Sequence, residues 1–238
     1  MRLRLRHASC ALIMALLAVM RPSPLWAAER SALIQYIDLL PQMGSANLCR
    51  VSADPSLKPV QPAELPRMFD GAMGGSTVSI FQGLDQRCSF TLLIQPPLRG
   101  ATRSDGFQKS LTIPKELDYS QSFDLTSTFL TGSESLGASS GSIVSFQHVD
   151  VGPGLTGPMP ALFNSLYQRL STLNGVQGFQ VWTWSSRPNH WTVITSWRDQ
   201  TSALAAQYDP TVMRIWSELY RNTAAPKHLS FYRLIETN

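Results

Sequence analysis

His148, Asp150 and Tyr208 are the residues whose types and spacing offer chemistry. His148 lies within residues 143–151 (IVSFQHVDV), a stretch rich in β-branched and aromatic residues that reads as a strand. A neutral imidazole near pH 7 accepts a phenolic proton and leaves an electron-rich phenolate able to reduce O2. Asp150 lies two residues on, hence on the same strand face, and would orient the ring. Gln147 points to the other face, so it and His148 cannot line one pocket on that side. The competing reading of His148 is a hydrogen-bonded residue in a packed seam. Tyr208 and Tyr220 would offer a hydrogen bond to a substrate carbonyl, or else sit at the edge of the core.

Five tryptophans, Trp182, Trp184, Trp191, Trp197 and Trp216, fall in the second half of the chain. Aromatic walls suit a flat apolar molecule, so Trp182, Trp184, Trp197 and Trp216 are the candidate contacts for a small aromatic ligand. Trp182 and Trp184 share one strand face, and Trp191 and Trp197 share another. The competing reading is that the rings simply fill the core. No dinucleotide fingerprint, phosphate loop, nucleophile elbow or His-Glu-x-x-His motif occurs. The four histidines match no zinc spacing. No metal and no bound cofactor is expected, which leaves cofactor-free chemistry or binding.

The elements that must position these residues are clearest in the second half. After the strand at 143–151, Leu162, Phe163, Leu166, Tyr167, Leu170 and Leu173 repeat at helical spacing between prolines and Asn174-Gly175. Residues 179–184 and 191–197 read as a hairpin turning at 186–189. Asp199 or Thr201 caps the next helix, which Asp209-Pro210 breaks and restarts, with Asp209 as a new cap. Residues 228–235 form a last strand. The order β-α-β-β-α-β is ferredoxin-like.

The first half repeats this less cleanly. Residues 34–39, 78–81, 90–94 and 123–130 read as strands, and Leu65, Met68, Phe69 and Met73 share a helical face. Residues 96–122 read as a long loop, so the second helix of this half is expected to be lost. Residues 35–39 (QYIDL) align with 147–151 (QHVDV). Val78, Ile80, Phe81, Phe90 and Leu92 fall opposite Phe179, Val181, Trp182, Trp191 and Val193 at one constant offset. An internal duplication is therefore suspected. The expected fold is α+β, two tandem ferredoxin-like units forming one barrel: a degenerate unit over 29–131, a flexible Gly/Ser linker over 132–141, and a complete unit over 142–238.

Arg2, Arg4, Arg6 and His7 precede the apolar run 8–20, and Trp26-Ala27-Ala28 offers small residues for cleavage. Residues 1–28 therefore read as a secretory signal peptide. The chain has 238 residues, 43% hydrophobic, which excludes a disordered chain. Its formal charge is +4, but four of its 20 basic residues lie in the leader, leaving 16 against 16 acidic. A nucleic-acid partner is not indicated, nor a membrane once the leader is removed. A periplasmic or secreted location follows, where Cys49 and Cys88 would pair as a disulfide or remain two buried thiols.

Residues 143–235 resemble the antibiotic-biosynthesis-monooxygenase-like group of dimeric α+β barrels. The resemblance rests on Gly178-Phe179-Gln180-Val181, on the run Val193-Ile194-Thr195-Ser196-Trp197-Arg198-Asp199, and on Ala203, Ala206 and Tyr208 in the helix beyond. It implies two ferredoxin-like units whose sheets pair into a barrel, either within one chain or as a homodimer. It also implies a cofactor-independent monooxygenase acting on an aromatic or polyketide-like molecule, with His148 as base, Asp150 as its orienter and Tyr208 as donor. The haem-degrading branch places an Asn on the first strand, then a Trp and a His on the second helix. Here those positions hold Gln147, Gln207 or Tyr208, and a stretch over 216–219 without His, which disfavours haem degradation. The alternative is a non-catalytic ligand-binding or structural module.

Overall fold

The computed structural model describes residues 31–38, 40–41, 49–50, 61, 64–65, 77–85, 88–95, 125–133, 135–152, 154–184, 186–223 and 228–237. The expected leader over 1–28, most of the first-half helical face and the loop over 96–122 lie outside the described residues; Leu65 of that face is described and buried.

The first half contributes β1 (Ser31–Asp38), the short pair β2 (Leu40–Pro41) and β3 (Cys49–Arg50), then β4 (Thr77–Gly83), β5 (Ser89–Gln95) and β6 (Leu125–Gly132). The second contributes β7 (Ile143–Asp150), α1 (Met159–Leu170), β8 (Val176–Trp184), β9 (Arg187–Trp197), α2 (Gln200–Gln207), α3 (Pro210–Arg221) and β10 (His228–Thr237). Eight strands close an antiparallel barrel in the order β1-β5-β4-β10-β7-β9-β8-β6. Within each half the order is that of a ferredoxin-like sheet: β6-β1-β5-β4 in one and β10-β7-β9-β8 in the other. The two sheets join where β4 meets β10 and where β8 meets β6, so every long strand has two neighbours and the barrel has no open edge.

The registers of the halves are equivalent. Tyr36 faces Thr91 as His148 faces Thr192, and Leu33 faces Ile94 as Ser145 faces Thr195. Each closing junction carries an irregularity at the same place. Phe81 pairs with Leu234 before the register shifts, and Trp182 with Phe129 before it shifts. Such bulges raise the local twist where a sheet must curl. The two tandem units expected from the sequence are thus present and pair within one chain.

Strand side chains alternate between the lumen and the outer face. The lumen holds Ala32, Ile34, Phe81, Leu93, Val144, Phe146, Trp182, Ile194, Tyr232 and Leu234. Phe146 packs edge-on to Phe81 and Tyr232. On the outer face of the second half, α1 and α3 bury Phe163, Leu166, Leu170, Val212, Ile215 and Leu219 against Phe179, Val181, Trp191 and Val193. Both faces of β7 are covered, which explains its nearly continuous buried run.

Three local expectations change. Strand β9 begins at Arg187, inside the expected turn, and Pro188 falls where the ladder shifts between Thr183 and Trp184, so its missing N–H breaks no pairing. Strand β6 runs on to Gly132. The expected flexible linker is held down: Ser133 N–H and Oγ donate to the Phe179 carbonyl, Gly141 N–H to Leu234, and Ser140 Oγ to Ile235. These bonds fasten it to both closing strands. Gly132 makes the tight approach possible. Its φ of +130° suits glycine, and a Cβ there would overlap the Phe179 carbonyl. Cys49 and Cys88 form the disulfide, with Cα atoms 5.6 Å apart, tying β3 to the start of β5.

Gly132→Ala is expected to destabilise the protein by roughly 2–4 kcal/mol, measured as a lower urea midpoint. Cys49→Ser with Cys88→Ser, which reopens a loop of 39 residues, is expected to cost about 2–4 kcal/mol in the same assay.

Candidate functional site

Positions on β7 alternate, and so do its candidate residues. Val144, Phe146 and His148 face the lumen. Ser145 and Gln147 face the helical layer, where they floor a cavity of about 310 Å³ between the sheet and α2–α3.

The cavity is built by three devices. Its floor is Ser145 and Gln147 of β7 with Thr195 and Trp197 of β9, all buried. Its far wall is α3, with Val212, Trp216 and Tyr220, the last two rings stacked at 5.5 Å. Its mouth carries Tyr208, 76% exposed, and Met213, 50% exposed. Helix positions are set by capping carboxylates. Asp199 accepts from Ser202 N–H at 2.7 Å to start α2. Asp209 accepts from the N–H groups of Thr211 and Val212, both at 3.0 Å, to start α3 with Pro210 at its first position. The Arg169 guanidinium on α1 also grips Asp209, its Nε donating at 3.1 Å. Both carboxylates are held at about 2, Asp199 mainly by the Ser202 N–H and Asp209 mainly by Arg169.

No Asp, Glu, Lys, Arg or His is among the described residues lining the cavity. Its floor polar atoms mostly satisfy one another: Trp197 Nε1 donates to Ser145 Oγ at 3.1 Å, and Ser145 Oγ donates to the Thr195 carbonyl. The exception is Gln147. It is 5% exposed, and its Nε2 donates to nothing. Burial pushes the Tyr220 hydroxyl pKa up, so it stays protonated at any ordinary pH.

The lumen holds a second, separate constellation. Tyr36, from β1 on the opposite side of the barrel, meets His148 with Oη 2.8 Å from Nε2. Burial and the neighbouring Tyr232 raise the Tyr36 pKa well above that of a free phenol, so it meets the imidazole as a neutral phenol. The other ring nitrogen lies 3.5 Å from Thr192 Oγ1, which accepts from Trp184 Nε1 at 2.9 Å. Trp184 stacks on His190, and His190 reaches Asp150 at 3.2 Å.

The expected site residues are therefore divided. Tyr208, Trp197 and Trp216 come together at the cavity. His148, Trp182 and Trp184 lie on the other side of the sheet, in the lumen. Asp150 shares the His148 face, as its spacing requires, but engages His190 and Asn189 at the strand end. A single pocket joining the imidazole to Tyr208 is not formed, because one strand cannot present adjacent residues to one face. Sequence reasoning passed over Ser145, Gln147 and Thr195 as site residues. The available signal was polar residues alternating on the buried face of a strand.

No family model matches the chain, and no curated protein matches it. Solved structures share its fold. A candidate monooxygenase of Fusobacterium nucleatum superposes with a TM-score of 0.65 at 7% identity, over 89% of this chain and 95% of that one. An anthrone oxidase-like protein gives 0.57 at 10% identity, over 89% and 94%. A ferredoxin-fold protein of Listeria monocytogenes related to antibiotic biosynthesis monooxygenases gives 0.51 at 13% identity, over 87% and 95%. The tandem barrel is thus a fold shared with these proteins, over nearly the whole of each. At these identities the likeness is one of fold.

The capping carboxylates predict an acid limb. Their folded pKa values lie below the ordinary 3.8, so their stabilisation is complete above about pH 4 and is lost as pH falls toward 2. The urea midpoint should drop over that window. Asp199→Asn with Asp209→Asn, which keeps a capping side chain, should flatten the drop.

Proposed function

We propose that this is an exported protein of monooxygenase-like fold that takes up a small aromatic molecule between the second-half sheet and α2–α3. The observation that carries this reading is the cavity itself. Trp197 in its floor and Trp216 in its wall give it flat apolar surfaces, and Gln147 offers a buried amide N–H with no partner inside the protein. Ligand sites commonly combine such walls with a few polar groups. The fold likeness to an anthrone oxidase-like protein and to candidate monooxygenases supports the ligand class. Export is supported by the leader-like residues 1–28 and by a disulfide that suits an oxidising compartment.

Between catalysis and binding, the geometry favours binding. A cofactor-free oxygenation needs a base to draw the phenolic proton, and the titratable groups among the described residues lining the cavity are tyrosines. His148 is turned into the lumen. The oxygenase reading keeps one support, the tryptophan walls within a monooxygenase-like fold, and it requires either a substrate already ionised or access to His148 from the barrel end.

Saturable quenching of tryptophan fluorescence by planar phenols and quinones, with no oxygen consumption, is the expected result. Oxygen uptake that depends on the protein and disappears in His148→Ala would instead establish the oxygenase with its base in the lumen. For export, mass spectrometry of protein secreted by a bacterial host should show a chain starting after Ala28.

A further inference from the structure

We propose that Gln147 is the specificity-determining residue of the cavity, and that it selects neutral, planar ligands bearing a carbonyl oxygen over the matching hydrocarbons and phenols. This rests on the reading of the cavity as an aromatic-ligand site.

Three observations lead to it. Gln147 lies at the bottom of the cavity, 5% exposed, and its Nε2 has no acceptor in the protein. A buried amide N–H without a partner is costly, so a ligand that supplies an acceptor there regains what folding left unmet. Two donors of the cavity floor are already engaged elsewhere. Trp197 Nε1 is spent on Ser145, and Ser145 Oγ on the Thr195 carbonyl. Finally, no cationic or anionic side chain is among the described residues lining the cavity. A phenolate or carboxylate would give up its hydration with no cation to replace it. A neutral phenol offers the amide N–H a weaker acceptor oxygen. A ketone or quinone carbonyl brings only acceptor lone pairs, which match the unpartnered N–H. The tryptophan walls hold the planar rings, and the amide fixes which edge points inward.

Gln147 therefore stands in the place of a selectivity filter, kept at the expense of the empty protein. Removing its amide should weaken carbonyl ligands and at the same time leave the unliganded fold as stable or more stable. A residue with a merely structural role would lose stability.

The test is calorimetric titration of the full chain with 9-fluorenone, fluorene and 2-hydroxyfluorene, which share one ring frame. Fluorenone should bind about tenfold more tightly than fluorene and severalfold more tightly than the phenol. Gln147→Met, which keeps the side chain's length, should bind all three within about twofold and melt no lower than wild type. Gln147→Asn, which withdraws the amide by one methylene, should also lose the preference and serves if the methionine variant does not fold. Equal binding of the three by wild type, or a preference that survives in both variants, would overturn the assignment of Gln147 while leaving the aromatic site in place. Binding of none of the three would overturn both.

Discussion

Each half of this chain makes a four-stranded sheet with two open edges, and the backbone groups along those edges must be paired. That requirement organises the molecule. A ferredoxin-like sheet alone would leave β4 and β6, or β8 and β10, with rows of unmet N–H and C=O groups. The halves meet these demands mutually, β4 with β10 and β8 with β6. Once the sheet is closed, a lumen exists, and every strand has an inner and an outer face. Helices α1–α3 then have only the outer face of the second half to cover. The linker between the halves is laid across the closing strands and hydrogen-bonded to them.

The two-residue period of a strand decides where chemistry is available. On β7 it sends Gln147 to the cavity and His148 to the lumen, one residue apart in sequence and on opposite sides of the sheet. The hydroxyl pair of the cavity floor has no counterpart at the matching register of the first half. The pair Ser145–Thr195 occupies the same register as Leu33–Ile94 in the first half, where both positions are apolar and buried. Two hydroxyl-bearing residues in place of two aliphatic ones let the second half hold a polar floor beneath aromatic walls.

Much of this was legible in the residues. Alternation and β-branched content located the strands, and Asp199 and Asp209-Pro210 marked the helix starts because a carboxylate beside free N–H groups is a local signal. The constant offset between Val78, Ile80, Phe81 and Phe179, Val181, Trp182 anticipated equivalent registers. What was not legible depended on which face of a strand meets which layer. Composition placed Trp182 and Trp184 among ligand contacts with Trp197 and Trp216, since a tryptophan looks alike whether it fills a lumen or lines a cavity. Tyr36 was invisible as the partner of His148, because nothing local reports a contact across 112 positions. The linker read as flexible from its Gly and Ser content, yet those small residues are what allow its close approach to β8.

The Tyr36–His148 contact has a consequence for how such a barrel can change. These residues hold equivalent positions in the two halves and touch across the barrel, so they straddle the axis that would relate two separate subunits. In a symmetric dimer a residue on that axis can meet only its own copy. Like would face like, and any substitution would enter the contact twice. On one continuous chain the two sides are written by different codons. A phenol can face an imidazole, and either can be altered while the other is kept. The same freedom lets one half keep a polar floor while its counterpart packs with aliphatic side chains, a division of labour closed to a pair of identical subunits.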